Sequence, residues 1–177
     1  MHKRLLILCS CLLCYLAPAV GQNFREVSRQ AGLVHLYNMG DVIYGGGVAV
    51  IDYNNDGWED LYVTGGMHPD ALFKNNGDKS FTNVFDGSGL EVTLEFLTQG
   101  VITGDIDNDG FSDLFVTARS PANALDQYAH DLLFKNNGDG TFTDITAEWG
   151  LDEVKRFSTA AAFGDVNLDG KLDLYVG

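Results

Sequence analysis

Cysteine is scarce in this chain, and its placement limits how the fold can be stabilised. All three cysteines lie within the first 14 residues, in an apolar run that follows basic residues. This pattern is typical of a secretory signal peptide, which we predict over residues 1–21, with cleavage after Ala19 or Gly21. The mature chain would then contain no cysteine, so something other than disulfides must stabilise an exported domain.

Basic residues are also few. The chain has 11 Lys and Arg against 25 Asp and Glu, a formal net charge of -14. Such an excess of negative charge disfavours binding to nucleic-acid phosphates and to anionic membranes. The apolar run at residues 5–16 is too short to span a bilayer. We therefore expect a secreted, extracellular or periplasmic protein with no nucleic-acid partner and no membrane span.

Helical periodicity is missing as well. No segment keeps apolar residues at the spacing of about 3.6 that an amphipathic helix needs, so we predict little helix. Short β-prone runs instead flank turn signals at Asn76-Gly77 and at Asn137-Gly138. Asn-Gly between two such runs favours a tight hairpin, because the turn requires positive φ.

An acidic motif of nine residues, D-x-[DN]-x-D-G-x-x-D, begins at Asp52, Asp105 and Asp165. Oxygen-bearing side chains occupy positions 1, 3, 5 and 9, and glycine at position 6 permits a sharp turn. Calcium prefers about six to eight oxygen ligands, which a tight acidic loop can supply. Asx turns explain single positions, but they do not explain four oxygens at fixed offsets in three copies. The motifs therefore predict about three calcium sites.

The predicted ligands are the side chains at positions 1, 3, 5 and 9 and, by analogy with helical calcium loops, the backbone carbonyl at position 7. By loop they are Asp52, Asn54, Asp56, Trp58 and Asp60; Asp105, Asp107, Asp109, Phe111 and Asp113; and Asp165, Asn167, Asp169, Lys171 and Asp173. The second loop carries four carboxylates, so we expect it to bind calcium most tightly.

Two related interpretations of the motif are disfavoured. A helical calcium sensor would place its last ligand, a glutamate, at position 12 and would have flanking helices, whereas here aspartate at position 9 comes last and strands flank the loop. Magnesium prefers fewer carboxylates and retains bound water. We therefore predict calcium as the only cofactor.

Signals for catalysis are weak. No serine lies in a G-x-S-x-G motif, and no Lys-Ser/Thr follows the glycine run at residues 45–47 as in a phosphate-binding loop. We expect these glycines to allow close backbone approach at the propeller axis. His35, His68 and His130 occupy different places in the repeat, so we interpret them as surface-loop histidines; a zinc or catalytic role is the alternative. We predict no catalytic residue.

The acidic motif belongs to a longer repeat. The pattern F-x-x-[VI]-x4-G-L begins at Phe24, Phe81 and Phe142, and L-F-K-N-N-G-D begins at Leu72 and Leu133. All the patterns keep one cyclic order, and the β-prone runs give four short strands per unit. Repeats of about 50–60 residues with four strands each are typical of propeller blades.

We therefore predict an all-β fold, a partial β-propeller of about two and a half blades within residues 22–177. The predicted boundaries are about 45–86 for blade 1, about 99–146 for blade 2, about 157–177 for a partial blade 3, and about 24–28 for a strand that would close the ring. Blade 2 has additional residues between Val116 and Leu132, which we predict to form a loop. Since a closed propeller has about four or more blades, we expect the chain to be the N-terminal part of a longer protein.

These motifs resemble a known family. The pattern G-x4-D-x-[DN]-x-D-G-x-x-D-L-[YF]-V is similar to the FG-GAP/VCBS repeat, and residues 133–151 resemble its secreted, ASPIC/UnbV-associated, cartilage acidic protein-like branch. The resemblance implies four-stranded antiparallel blades like those of the integrin α head, with calcium in the loop between the first two strands of certain blades. The Phe-Gly and Gly-Ala-Pro signatures that name the family are eroded here.

The combined prediction is a secreted, non-enzymatic repeat module with structural calcium and an extracellular protein or glycan partner. The alternative is the propeller scaffold of a secreted enzyme that acts on polysaccharide or another polymer. A cluster of histidines, or of acids other than the predicted calcium ligands, that converges on one face would favour that alternative, especially near residues 118–130, and the sequence shows none. A third interpretation is a scaffold that only positions a C-terminal domain.

Overall fold

The computed structural model describes residues 24–38, 45–124 and 127–177. The predicted signal peptide at residues 1–21 lies outside the described residues. Strands dominate, and within the described ranges the helix consists of one 3-10 turn at Glu91–Glu95. No helix in these ranges has the length and apolar character needed to cross a membrane.

The strands form three antiparallel sheets, which we call blades 1 to 3. Blade 1 contains β1 (Val48–Ile51), β2 (Asp60–Val63), β3 (Ala71–Asn75) and β4 (Phe81–Asn83). Blade 2 contains β5 (Phe96–Gly104), β6 (Asp113–Pro121), β7 (Leu132–Asn136) and β8 (Phe142–Asp144). The described strands of blade 3 are β9 (Ala161–Gly164) and β10 (Asp173–Val176).

Each four-stranded sheet is a simple meander, with the strands side by side in chain order. This is the arrangement of a propeller blade, so the predicted all-β fold with four-stranded blades is confirmed. The acidic motif joins the first two strands in every blade. Its last aspartate begins the second strand, as in the pairs Ile51↔Asp60 and Gly104↔Asp113.

Blade 2 differs from the prediction in its additional residues. β5 and β6 have nine residues each, against four in β1 and β2. β6 therefore runs on as a strand to Pro121, where a loop was predicted, because the start of β5 pairs with it through Thr98↔Ala118 and Phe96↔Pro121. Register shifts accommodate the irregular spacing of these pairs. The additional residues thus lengthen the first hairpin at the end opposite to its acidic loop.

Residues 24–28, predicted as a closing strand, are not a strand in the structure. Phe24 is 94 % exposed, and the following residues turn at positions 28–32. A strand needs a paired neighbour, and no described strand lies beside this stretch. Its role in closing a ring therefore stays a prediction.

In the first two copies of the F-x-x-[VI]-x4-G-L motif, the residue before the Gly-Leu pair bonds to the blade that follows. The carbonyl of Ala31 accepts a hydrogen bond from the amide of Phe81 (2.7 Å), and that of Ser88 accepts one from the amide of Phe142 (2.7 Å). At Gly89, φ is +85° and a Cβ would lie 2.1 Å from the carbonyl oxygen of Phe142. Glycine is required there by backbone conformation and by space.

The core lies between neighbouring sheets. Leu114 and Val116 pack in a cluster shared with blade 1, whereas Phe115 between them packs toward Phe163 of blade 3. Alternate residues of a strand point to opposite faces, so β6 contributes to two cores. Each large apolar side chain buried in this way contributes about 1.5–3 kcal/mol to stability.

The first strands of neighbouring blades approach closely at Gly47, the last residue of the glycine run, while the place of the run at a propeller axis stays a prediction. A Cβ at Gly47 would lie 2.7 Å from the carbonyl oxygen of Gln99 in β5. The hydroxyl of Thr64 accepts a hydrogen bond from the amide of Gly47 (2.7 Å) and donates one to the carbonyl of Gln99 (2.7 Å). This threonine therefore ties β1 and β2 of blade 1 to β5 of blade 2.

A buried aspartate forms a second tie between the blades. Asp70, 4 % exposed, precedes β3. Its Oδ1 accepts hydrogen bonds from the amide of Gly65 (2.7 Å) and the hydroxyl of Thr98 in blade 2 (2.5 Å). Its Oδ2 accepts one from the hydroxyl of Tyr62 (2.5 Å). Burial raises the pKa of Asp70 despite these donors.

Asp131 occupies the corresponding position before β7. Its carboxylate accepts hydrogen bonds from the amide of Ala118 (2.9 Å) and from the hydroxyl of Ser158 (2.8 Å), which leads into blade 3. Burial raises its pKa as well. The repeat thus places one buried carboxylate at each of these two contacts between blades, a feature that the sequence analysis missed.

Candidate metal centre

The three acidic loops have the same backbone path. The aspartate at position 1 accepts hydrogen bonds from the amides of positions 5 and 6. In the first loop, the carboxylate of Asp52 binds the amides of Asp56 (3.0 Å) and Gly57 (2.8 Å). The same pair of bonds recurs at Asp105 and at Asp165. The loop therefore wraps around its first aspartate.

Positive φ values make this tight path possible. Position 4 has φ near +60° in each loop, at Asn55, Asn108 and Leu168 (53°, 59° and 61°). Position 6 is glycine with φ between +83° and +92°. Positive φ is uncommon for residues other than glycine, asparagine and aspartate. The third loop nevertheless keeps the same path with leucine at position 4.

The wrapped path brings the oxygens of positions 1, 3 and 5 together. Within the described ranges, the only group of three or more His, Cys, Asp or Glu side chains whose ligand atoms lie within 4.8 Å of one another is Asp105, Asp107 and Asp109. One calcium ion can bridge oxygens across this distance, because calcium–oxygen distances are about 2.3–2.6 Å. The residues of the second loop therefore fit a calcium ion.

Asparagine replaces aspartate at position 3 of the other two loops. Asn54 Oδ1 accepts a hydrogen bond from the amide of Asp56 (3.1 Å), and its Nδ2 donates to the carboxylate of Asp56 (3.0 Å). Asn167 makes the same two contacts with Asp169. The oxygens at positions 1, 3 and 5 thus follow one local pattern, with one negative charge fewer than in the second loop.

The aspartate at position 9 has a different environment. Asp60 and Asp113 are fully buried. The carboxylate of Asp113 accepts hydrogen bonds from the amides of Ile106 (2.9 Å) and Asn136 (2.8 Å), and Asp60 binds Tyr53 and Asn75 in the same way. Burial raises the pKa of both carboxyls. Position 9 therefore joins the loop to the end of the third strand, and its role as a metal ligand stays a prediction.

Position 7 uses its amide to bind the carboxylate of position 5, as Trp58 does with Asp56 (3.0 Å). Its side chain covers the neighbouring turn. A Cβ at Gly77 would lie 3.0 Å from the ring of Trp58, and one at Gly138 would lie 2.6 Å from the ring of Phe111. The predicted ligation by the carbonyls of Trp58, Phe111 and Lys171 stays a prediction.

Two lysines that the sequence analysis did not assign lie beside the loops. Lys135 Nζ donates to the carboxylates of Asp107 and Asp109, the latter at 2.8 Å. These partners raise the pKa of Lys135, and Lys135 is the largest cause of a lowered pKa at Asp109. Lys74 occupies the equivalent position in blade 1, 3.3 Å from Asp56 Oδ2. The only sequence signal was their shared place in L-F-K-N-N-G-D.

Neighbouring loops lie close together at one end of the sheets. Asn108 Nδ2 in the second loop donates to the carbonyl of Gly170 in the third (3.3 Å). A Cβ at Gly140 of blade 2 would lie 3.6 Å from the ring of Tyr53 in the first loop. The acidic residues of successive blades therefore share one surface.

The histidines are distributed over other parts of the structure. His35 Nε2 lies 2.9 Å from the carbonyl oxygen of Thr64. His130 packs edge-on against Phe96, with ring centroids 5.0 Å apart. His68 is exposed next to a small cavity that His35 also lines.

Known proteins show the same repeat and similar overall sequences. The FG-GAP-like repeat family matches residues 52–116 and 105–176, so both matches begin at the first aspartate of an acidic motif. Cartilage acidic protein 1 of Xenopus tropicalis is 30 % identical over 162 residues, covering 86 % of this chain and 23 % of the relative. Cartilage acidic protein 1 of Homo sapiens is 29 % identical over 143 residues, covering 75 % and 20 %.

The chain thus spans about a quarter or less of the length of these curated relatives (23 % and 20 %). The family match, in contrast, runs through more than half of the chain, from the first acidic loop to the last strand of blade 3. It also confirms the resemblance found in the motifs, so this protein belongs to the FG-GAP-like repeat family.

Proposed function

We propose that this protein is a secreted, extracellular repeat module whose acidic loops bind calcium as a structural ion. The convergence of the Asp105, Asp107 and Asp109 carboxylates within 4.8 Å carries the proposal. The predicted signal peptide, the acidic composition and the name of the cartilage acidic protein relatives support an extracellular location.

The place of the loops in the blade supports a structural role. Each loop joins the first two strands, and its last aspartate binds an amide at the end of the third strand in blades 1 and 2. An ion held by positions 1, 3 and 5 would therefore fix a hairpin that three strands share. It would also neutralise carboxylates whose mutual repulsion disfavours the folded loop.

Calcium titration and thermal unfolding test this role. Asp107→Ala combined with Asp109→Ala should remove one calcium equivalent, whereas Asp139→Asn, in an exposed turn outside the acidic motifs, should keep the full stoichiometry. EDTA should lower the melting temperature of the wild type. Unchanged melting and unchanged protease resistance in EDTA would refute structural calcium.

We propose that the partner is bound at the opposite end of the β5–β6 hairpin. A cavity of about 630 Å³ lies there, between Phe96 at the start of β5 and Pro121 at the end of β6. Tyr128, 63 % exposed, Gln127 and Glu95 are among the residues that line it. An exposed ring beside amide and charged groups suits a glycan or a peptide segment.

Catalysis on polysaccharide has weaker support at this cavity. The described part of its lining contains one carboxylate, Glu95, and one histidine, His130. Most glycoside hydrolases use a pair of carboxylates, and the ring of His130 packs against Phe96. We therefore propose binding without catalysis.

Glycan arrays and peptide libraries test the binding proposal. Tyr128→Ala should weaken capture of any ligand found, whereas Tyr175→Ala, which removes a more exposed tyrosine (75 %) on β10, should not. Equal capture by both variants would argue against this cavity. Release of shortened saccharides during incubation would instead favour the enzyme alternative.

A further inference from the structure

We propose that Lys135 and Lys74 are tethered cations that compete with calcium for the acidic loops. In this arrangement the lysine on the third strand of a blade lowers the calcium affinity of the adjacent loop, and the same lysine stabilises that loop when calcium is scarce. The inference rests on the proposed calcium function and adds a regulatory element to the same sites.

Lys135 is held in position by the strand that carries it. Its neighbours on β7, Phe134 and Asn136, are fully buried, and the amide of Asn136 is bonded to Asp113 of the loop itself. The side chain of Lys135 therefore starts from a fixed point next to the loop. Its ammonium group contacts two of the three converging carboxylates, Asp107 and Asp109.

Lys74 repeats this arrangement with fewer contacts. It precedes Asn75, whose amide is bonded to Asp60 of the first loop. Its ammonium group reaches one carboxylate, that of Asp56, at 3.3 Å. The same oxygen, Asp56 Oδ2, also accepts a hydrogen bond from Asn54 (3.0 Å). The loop with the additional carboxylate thus has the more extensive lysine contact.

Lys135 contacts Oδ2 of both Asp107 and Asp109. Their Oδ1 atoms already accept hydrogen bonds from the backbone amides of Asp109 and Phe111. A calcium ion that binds both carboxylates therefore competes with the ammonium group for the Oδ2 atoms. Coordination through Asp107 and Asp109 requires the ammonium group to give up its bonds and to remain as a nearby like charge. The lysine is partly exposed, with 35 % of its side-chain area accessible. Since exposed ion pairs contribute little, the expected effect on affinity is several-fold rather than many orders of magnitude.

The competition predicts opposite changes in the two states of the protein. Lys135→Gln should raise the calcium affinity of the second loop by about three- to tenfold, because the competing charge is removed. The same substitution should lower the melting temperature in EDTA, because the carboxylates then repel each other without a counter-charge. If Lys135 only supported the structure of the loop, Lys135→Gln would lower both the calcium affinity and the melting temperature in EDTA.

Isothermal titration of the full chain with calcium chloride at fixed ionic strength tests the proposal, with melting in EDTA as the second measurement. The matched control is Lys155→Gln, which makes the same charge change at the cavity on the other end of the hairpin. Charges separated by more than about 8 Å are largely screened at physiological ionic strength, so the control should bind like the wild type. Lys135→Arg keeps the charge, and its guanidinium group can bind both carboxylates, so its calcium affinity should not rise above that of the wild type.

The outcomes separate this inference from the calcium function. A wild type that takes up no calcium would refute both. A wild type that binds calcium while Lys135→Gln matches Lys155→Gln, or binds more weakly, would refute the competition and leave the calcium function in place. Lys74→Gln gives an independent test at the first loop, where the smaller contact predicts a smaller gain in affinity.

Discussion

Removal of the Asp70 carboxylate gives a sharp test of how neighbouring blades are held together. In Asp70→Ala, the amide of Gly65 and the hydroxyls of Thr98 and Tyr62 lose their buried acceptor. Each donor left in this way costs about 1–3 kcal/mol. Relief of the burial penalty of the carboxylate offsets part of the loss. We expect a net destabilisation of about 2–4 kcal/mol.

Thermal and urea unfolding measure this effect. For a chain of this size, the expected loss corresponds to about 5–15 °C in melting temperature. A double-mutant cycle with Thr98→Val isolates the bond between the blades: Thr98→Val alone should cost about 1 kcal/mol. The double variant should then be more stable than additivity predicts, because no orphaned hydroxyl remains at residue 98.

Two results would contradict this reasoning. A loss below about 1 kcal/mol for Asp70→Ala would show that water replaces the carboxylate at little cost. Additive effects of the two substitutions, within about 0.5 kcal/mol, would show that the contact between Asp70 and Thr98 does not couple the blades.

Three further outcomes are expected. Gly89→Ala should lower the unfolding free energy by about 3 kcal/mol or more, since the added Cβ meets the carbonyl oxygen of Phe142. Gly87→Ala, with a similar positive φ but open space, should lower it by about 1 kcal/mol. Equal losses in urea unfolding would contradict the packing argument. Burial raises the pKa of Asp70, so the folded state binds this proton more tightly than the unfolded state does. The unfolding free energy of the wild type should therefore fall relative to that of Asp70→Asn as the pH rises from about 4 towards neutrality. Parallel pH profiles of the two proteins would contradict this. Asp107→Asn gives the second loop the predicted ligand set of the other two and should weaken the tightest calcium site about tenfold in calcium titration. An unchanged affinity would show that the number of carboxylates does not set it.

The local features of this fold could be predicted from the sequence. The acidic loops and the Asn-Gly turns depend on positive φ at single residues such as Gly57 and Gly77, and these positions are visible in the sequence. Their regular recurrence also predicts the four-stranded blades. The absence of helical periodicity correctly predicted an almost entirely β structure.

The missed features depend on partners that are distant in the sequence. β6 continues to Pro121 because Phe96 pairs with it, and no local pattern records that pairing. The contact of Lys135 with Asp107 joins a strand to the acidic loop, and that of Asp70 with Thr98 joins two blades. A strand assigned at residues 24–28 likewise needed a neighbour that no described strand provides.

The use of both faces of β6 has a consequence for how the stability of such a module depends on its size. Because Leu114 and Phe115 belong to different cores, most of the apolar burial lies between sheets rather than within them. An open stack of n sheets has n − 1 interfaces, and closing it into a ring adds one more. Stability should therefore rise faster than the number of sheets, as in other arrays governed by nearest-neighbour contacts. Loss of an inner sheet would remove two interfaces at once.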